Sequence, residues 1–392
     1  MVNKMVNKNQ KPCCPELPLS FAGGERCTSS HSGIDLLPEG ISKRKMNLKE
    51  RNSIDGKQQL RWPVPLVLII LPGIIFFASI CLGRYEVCPK KVLSILTSGG
   101  LYPDMNYRDI EEMVIINVRL PRVLLAMVVG SGLAVAGGAF QGLFGNPLVS
   151  PHVLGVTSGA GFGAALGILL SGRMEVVQLS AIAFGIMAVC LVYMISHFSN
   201  GPRLFVLVLS GIIVGAFFTA LISLVKLAAD PDDKLPSIVF WLMGSLAGAS
   251  YRDLLLGGTL ISVGVLILLL LRWRMNILSL SEEEAQSLGI NVHGLRLTVI
   301  ATATLITASA VSLCGIIGWI GLIIPHVARM VVGPNHKKLL PACIPIGGFY
   351  LLLIDDVARA ATPIEIPLSI LTALIGAPFF AYLLKKTGGG WK

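Results

Sequence analysis

The sequence predicts an all-α integral membrane protein built as a bundle of ten transmembrane helices. First, the residues between Arg122 and Arg173 include no Asp, Glu, Lys or Arg, and this uncharged stretch is long enough for two bilayer crossings at about 20 residues each. Second, 54% of the residues are hydrophobic and only 14% are charged, against about 25% charged in an average soluble domain. Third, the 42 glycines would let helix backbones approach closely in lipid.

Uncharged runs along the rest of the chain define the individual spans. Backbone polar groups have no water to bond in hydrocarbon, so each run must be helical. One run, 297–328, is too long for a single helix, and Gly315 is its natural break. The ten predicted spans are 63–83, 114–143, 150–171, 176–197, 204–228, 254–272, 294–314, 316–332, 339–359 and 367–385.

Three segments lie outside these spans. Residues 1–61 are polar and basic, and we expect them to form a disordered tail. Met46 follows a basic cluster, and we hypothesise that it is the natural start of the protein. Residues 387–392 form a short C-terminal tail. The segment Leu235–Ser250 is apolar but too short to span, so we expect a re-entrant or surface helix on the extracytoplasmic side.

The distribution of basic residues predicts the orientation. The N-terminal tail is rich in Lys and Arg, and further basic pairs follow at 272/274, 337/338 and 385/386. Basic residues beside a membrane favour the cytoplasmic side. Ten spans place both termini on the same side, so we predict a multi-pass protein of the cell (inner or plasma) membrane with both termini in the cytoplasm.

Several function classes are disfavoured. Eleven of the 32 Lys and Arg residues lie in the first 61 positions, beside the membrane, so the net charge of +10 does not indicate nucleic-acid binding. The eight cysteines lack zinc-ligand spacing, and the spans contain no catalytic pair, so we predict no metal site, no cofactor and no enzymatic activity.

Asp355, Asp356 and Arg359 lie near a span's end rather than its middle, which argues against an ion-driven carrier. No Gly-x-x-x-x-Gly-Lys-Ser/Thr motif is present, so ATP would be hydrolysed by a partner.

The loop 273–296 contains a short predicted helix. Ser281 can cap a first turn that carries Glu282, Glu283 and Glu284, which suits the positive end of the helix dipole. Gly289 would stop the helix. A rigid, capped helix between two spans suits docking into a cleft of a partner protein. An ordinary amphipathic loop helix fits the pattern equally well.

Arginines mark the opposite face. Arg119, Pro121 and Arg122 open the second predicted span, since proline fits a helix's first turn. Two arginines at a helix entrance could receive carboxylates from a soluble partner, or they could simply reach toward the membrane interface. Arg359 would lie on the same side, and its four-residue spacing from Asp355 also allows an ion pair within the helix.

Several long motifs in order resemble one family, the permease subunits of ABC importers for ferric siderophores, haem and cobalamin. The resemblance covers about residues 62–386. Besides the Glu283–Gly289 loop, the matching segments are R-L-P-R at 119–122, Q-G-L-F-G-N-P-L at 141–148, L-G-V-T-S-G-A at 154–160, I-G-W-I-G-L-I-I-P-H-V-A-R at 317–329, G-P-N-H at 333–336 and T-A-L-I-G-A-P-F-F at 372–380.

The resemblance implies a ten-helix permease domain over 62–386, paired with a second permease chain, two ATPase subunits and an extracytoplasmic substrate-binding protein. Arg119, Arg122 and Arg359 would receive acidic residues of the binding protein, and Asn146, Pro147 and Leu148 would lie near the inner gate. Gly211 and Gly215 would line the pathway, although close packing explains them as well. The ATPase-coupling segment would comprise Ser281, Glu282, Glu283, Glu284, Ala285, Gln286, Ser287, Leu288 and Gly289.

We therefore expect the permease subunit of an ATP-driven importer for an iron-siderophore, haem or cobalamin-type chelate, as a homodimer. The alternatives are a secondary transporter that moves similar ligands without an ATPase, and an intramembrane enzyme. Uptake without any ATPase subunit would favour the former, and product formed from a lipid or haem the latter.

Overall fold

The computed structural model describes residues 63–83, 85–98, 110–198, 203–279, 282–287, 289 and 291–387. Within these residues every regular element is helical, as the sequence predicts. The predicted tail 1–61 lies outside the described residues. The final helix extends to Thr387, the first residue of the predicted C-terminal tail.

Thirteen helices form the described part of the chain. The π turn Val114–Arg119 lies inside the third of them, and the three-residue helical turn Tyr251–Asp253 and the π turn Leu254–Gly258 directly precede the eighth. The helices are α1 Pro63–Cys81, α2 Pro89–Ser98, α3 Ile110–Phe144, α4 Val156–Leu170, α5 Met174–His197, α6 Arg203–Ala228, α7 Lys234–Met243, α8 Thr259–Met275, α9 Glu282–Ser287, α10 Val292–Cys314, α11 Ile320–Val332, α12 His336–Ala360 and α13 Leu368–Thr387.

Six helical runs in the described residues are long and apolar enough to cross a membrane. They are Ile110–Phe144, Met174–His197, Leu204–Ala228, Tyr251–Leu278, Val292–Cys314 and His336–Ala360. The shorter apolar helices are Leu66–Cys81, Val156–Leu170, Lys234–Met243, Ile320–Val332 and Leu368–Tyr382.

Irregular turns change the bounds of two predicted spans. The second begins at Ile110 rather than 114, and the π turn Val114–Arg119 lies inside it. Arg119 and Arg122 therefore lie within a continuous helix and not at its entrance. The third is shorter than 150–171, because the 3₁₀ turn Pro151–Leu154 and Gly155, in the left-handed conformation with φ +72°, precede α4.

The predicted break at Gly315 is present. Helix α10 ends at Cys314, Gly315 has φ +71°, and α11 begins only at Ile320. A Cβ on Gly315 would lie 2.2 Å from the backbone oxygen of Trp241, so glycine is needed here both for its conformation and for the close approach of α7. The predicted extracytoplasmic segment does contain a helix, α7, but the residues after Met243 have no regular secondary structure apart from a turn.

Helix α3 lies at the centre of the bundle and packs against α8, α10, α11 and α12. Glycines bring the backbones together. A Cβ on Gly130 would lie 2.3 Å from the oxygen of Gly347 in α12, and one on Gly137 would lie 1.9 Å from the oxygen of Gly321 in α11. This is the small-residue packing expected of helices in lipid.

The bundle has two ends that gather different sequence segments. At the first, which we call the arginine end, Arg122 reaches Glu365, and Gln178 Nε2 donates to Asp253 Oδ1 over 2.7 Å. At the second, which we call the α9 end, Asn276 contacts His336. Tyr193 and His293 also form a hydrogen bond of 3.2 Å at the α9 end.

Candidate functional site

Helix α9 has one buried face and one exposed face, and it lies at the α9 end of the bundle. Ala285 is 1% exposed and packs in a small apolar cluster with Ile277 and Val292, whereas Glu284 and Ser287 are exposed. Gly289 follows with φ +73°, a conformation in which glycine is favoured. One face of α9 is thus anchored to the bundle, and the exposed face is available to a partner.

Two residues of the predicted coupling segment, Ser281 and Leu288, lie outside the described residues. The predicted Ser281 cap is therefore untested. The helix ends at Ser287, two residues before the glycine predicted to stop it. Ser287 Oγ donates to the Glu284 carbonyl over 2.7 Å, which supports the last turn.

A side-chain network connects the base of α9 to the start of helix α12. Asn276 begins the 3₁₀ turn Asn276–Ser279 that leads to α9. Its Nδ2 donates to Asn335 Oδ1 over 3.0 Å, and its Oδ1 accepts from the backbone N–H of His336 over 2.9 Å. Asn335 is also the N-cap of α12. The sequence motifs did not indicate a functional role for Asn276, although G-P-N-H at 333–336 is among them.

The predicted gate residues form a compact turn at the same end. Helix α3 ends at Phe144, and Gly145 turns the chain with φ +60°. Asn146 Oδ1 accepts from the Leu148 N–H over 2.9 Å, the local bond that favours asparagine in turns. Asn146 and Leu148 are exposed and Pro147 is half-buried.

The two predicted pathway glycines make unequal contacts. A Cβ on Gly211 would lie 2.1 Å from the oxygen of Val153, so Gly211 is required for packing of α6 against the 3₁₀ turn. Gly215 has more room, since the nearest atoms to its Cβ position lie 3.8 Å away, on Gly155 and Ser158. The packing interpretation therefore accounts for Gly211, and a pathway role for either glycine stays a prediction.

Arg119 faces into the protein and is 4% exposed. Its Nη1 donates to the carbonyl of Ile80 over 2.6 Å, and the guanidinium also bonds the carbonyls of Cys81 and Tyr85. A Cβ on Gly83 would lie 2.6 Å from Nη2. Arg119 thus ties α3 to the end of α1 and the segment after it.

Arg122 is 7% exposed and bonds two carboxylates. Its Nη2 and Nε lie 2.9 Å from the oxygens of Asp355 in α12, and its Nη1 lies 2.9 Å from Glu365 Oε1 in the segment before α13. This fork geometry is characteristic of strong arginine–carboxylate pairs. One arginine therefore joins α3, α12 and the 361–367 connection.

Arg359 is also buried, and it forms an ion pair within its own helix. Its Nη2 lies 2.5 Å from Asp356 Oδ1, three residues earlier, and 2.8 Å from Ser79 Oγ in α1. The spacing also allowed a pair with Asp355, but Asp355 faces Arg122 on α3 instead. All three arginines proposed for partner docking thus point into the protein, and the structure presents none of them as an exposed cation.

The described residues contain no group of three or more His, Cys, Asp or Glu that could hold a metal ion. Buried and half-buried polar side chains form hydrogen bonds across helices instead. Arg329 Nη2 donates to Gln141 Oε1 over 2.9 Å, and Gln141 Nε2 donates to the Leu322 carbonyl over 3.2 Å. These contacts join α3 to α11, so a structural role accounts for Gln141 and Arg329.

Comparisons with known proteins match most of the chain. The model of the FecCD transport family matches residues 68–386. The molybdate import system permease protein MolB of Haemophilus influenzae is 43% identical over 336 residues, covering 86% of this chain and 98% of that protein. A probable iron chelatin transport system permease protein of Helicobacter pylori is 42% identical, covering 71% of this chain and 84% of that protein.

A solved structure matches as well. It is described as a metal-chelate type ABC transporter in an inward-facing conformation. It is 43% identical to this chain and superimposes with a TM-score of 0.73, covering 83% of this chain and 99% of that one.

Proposed function

The chain belongs to the FecCD transport family, and on this premise we propose that it is the transmembrane permease subunit of an ATP-driven importer. Membership rests on the match over residues 68–386 and on relatives that are permeases of ABC transport systems. It is a multi-pass membrane protein with at least six candidate spans in its described residues. The observation that carries the proposal is helix α9, anchored on one face and exposed on the other, at the end of such a bundle.

The proposed topology has ten spans. Six are the long apolar runs, and the four shorter ones are α1, α4, α11 and α13. Helix α7 would lie on the extracytoplasmic side as a re-entrant or surface helix. This count puts the α9 end and both termini in the cytoplasm and the arginine end outside.

The proposed partners supply ATP hydrolysis and substrate delivery, which this chain does not provide itself. Two ATPase subunits would bind the α9 ends of two identical permease chains, and a soluble binding protein would deliver substrate at the arginine end. ATP binding and hydrolysis would move α9, and the bundle would alternate its access between the two sides. This chain would bind neither nucleotide nor cofactor.

The proposed substrate is a metal in complexed form. An iron-siderophore, haem or cobalamin-type chelate is the expectation from the sequence motifs. The MolB relative adds a metal oxyanion, molybdate, to the candidates. The binding protein would set the affinity, so the pathway itself needs only weak contacts with each of these.

The test is uptake by proteoliposomes that contain the chain, a candidate ATPase and the cognate binding protein. We expect ATP-dependent accumulation of one radiolabelled substrate among ferric chelate, haem, cobalamin and molybdate. Omitting the ATPase should abolish uptake, and the purified chain alone should not hydrolyse ATP. Uptake driven by an ion gradient without the ATPase would overturn the proposal in favour of a secondary transporter.

A further inference from the structure

We propose that Asn276, His336 and Gly142 form the mechanical link through which movement of α9 reaches the predicted gate at 145–148. The proposal rests on the proposed function, in which an ATPase moves α9. It assigns a coupling role to three residues that lie outside both the docking helix and the gate turn.

The first step in the link is apolar. Ala285 of α9 is buried against Ile277, and Ile277 directly follows Asn276 in the 3₁₀ turn Asn276–Ser279. The turn therefore contacts α9 through Ile277, and the adjacent Asn276 makes the next contact in the series. Displacement of α9 must move this turn or break the Ala285 contact.

The second step is a double hydrogen bond. Asn276 Oδ1 accepts from the His336 backbone N–H over 2.9 Å and from His336 Nδ1 over 3.1 Å. An amide oxygen only accepts hydrogen bonds, so Nδ1 carries the proton. Both the backbone and the ring of the first residue of α12 are thus fixed to the turn before α9.

The third step is steric. A Cβ on Gly142 would lie 2.3 Å from His336 Nε2 and 3.0 Å from Cε1, so the ring lies directly against the α3 backbone. Nε2 is buried without a hydrogen-bond partner, which leaves the Asn276 bond and this packing to position the ring. The ring cannot swing aside while Nδ1 remains bonded to Asn276.

Gly142 lies three residues before Gly145, where α3 ends and the turn begins. A push of the His336 ring on Gly142 is therefore delivered to the last turn of α3, directly beside Asn146. The link is short and consists of one apolar contact, one bifurcated hydrogen bond and one backbone contact. No flexible loop intervenes in this series.

The test compares Gly142→Ala with Gly138→Ala in the reconstituted importer. Both replace a glycine in α3 by alanine. A Cβ at Gly138 meets the end of the Leu340 side chain at 3.1 Å and does not touch His336. Substrate transported per ATP hydrolysed is measured, with elution volume and melting temperature as checks on folding. We expect Gly142→Ala to lower this ratio on the order of fivefold, the lower part of the usual range of coupling between sites, and Gly138→Ala to leave it unchanged.

A double-mutant cycle separates a link through the ring from general damage to α3. If the ring transmits the movement, His336→Ala should itself lower the ratio, and adding Gly142→Ala should have little further effect. Additive effects of the two substitutions, or a normal ratio in Gly142→Ala, would overturn the proposal.

Asn276 provides a third pair of variants. Asn276→Asp keeps the oxygen that accepts from His336, whereas Asn276→Leu removes it. We expect coupling to survive in the first and fall in the second, and equal loss in both would contradict the proposal. These outcomes remain distinct from a failure of the proposed function, which would appear as a wild-type complex without ATP-dependent transport.

Discussion

Arg122 lies in a buried salt bridge that connects distant parts of the chain. Asp355 is 0% exposed, and its partner is 233 residues away in sequence. A buried ion pair is costly to form, and removing one partner is strongly destabilising because the other charge is then buried alone. The pair therefore holds α3 and α12 in one register.

We predict that Arg122→Met destabilises the protein by about 3–5 kcal/mol, the cost of leaving a buried charge uncompensated. Unfolding by SDS in mixed micelles measures this. Arg173→Met is the matched control, because that side chain is 75% exposed and exposed ion pairs contribute little. Adding Asp355→Leu to Arg122→Met should recover most of the loss, and a lack of recovery would show that the charge was not the cause.

Gly315 and Gly318 offer a second matched pair. Alanine at Gly315 must adopt φ +71° and approach the Trp241 backbone oxygen to 2.2 Å, whereas a Cβ on Gly318 meets nothing within 4 Å. We predict that Gly315→Ala lowers the melting temperature and the yield of folded protein clearly, while Gly318→Ala changes neither. Equal behaviour of the two variants would mean that the α10–α11 connection adapts freely.

Helix α9 has a buried face that attaches it to the bundle and an exposed face that we propose binds the ATPase. The substitution pair Glu284→Arg and Ser287→Trp alters only exposed positions, so folding should be retained. We predict that co-purification of a partner ATPase and the ATPase activity of the complex both fall at least about tenfold, as expected when a central interface contact is lost.

Arg173→Glu is the control for this charge reversal. It lies at the arginine end, away from α9, and should leave ATPase assembly intact in the absence of a binding protein. Full assembly of the α9 variant with the ATPase would mean that 282–287 is not the docking element.

The arrangement of the whole molecule predicts which residues face each side of the membrane. In the ten-span topology, Ser287 faces the cytoplasm and Arg173 faces outward. In a variant with its eight native cysteines replaced, Arg173→Cys should react with a membrane-impermeant maleimide in intact cells. Ser287→Cys should react only after permeabilisation. The proposed topology has three spans between these positions, namely α5, α6 and α8. Labelling of both positions from the same side would require an even number of spans between them and would therefore exclude the proposed topology.

Local pattern was sufficient to predict the long apolar helices, whereas the short helix α2 was not predicted. Uncharged apolar runs identified the principal spans, and Gly315 was correctly recognised as a break, because hydrocarbon admits helices and little else. The bounds were less accurate where the local conformation departs from the α-helix. The π turn at Val114–Arg119 and the 3₁₀ turn at Pro151–Leu154 depend on packing against neighbours, which hydropathy does not record.

What the sequence by itself determined is the class of protein, the order of its helices and the family, since these depend on composition, spacing and contiguous motifs. Only the tertiary structure decided which groups meet. Arg122 could have faced a partner or the protein interior, and its direction depends on Asp355 and Glu365, more than 200 residues away. The Asn276–His336–Gly142 contact joins three separate helical segments in the same way. Such contacts are set by how helices pack and which charges are buried together, so no single segment of the chain encodes them.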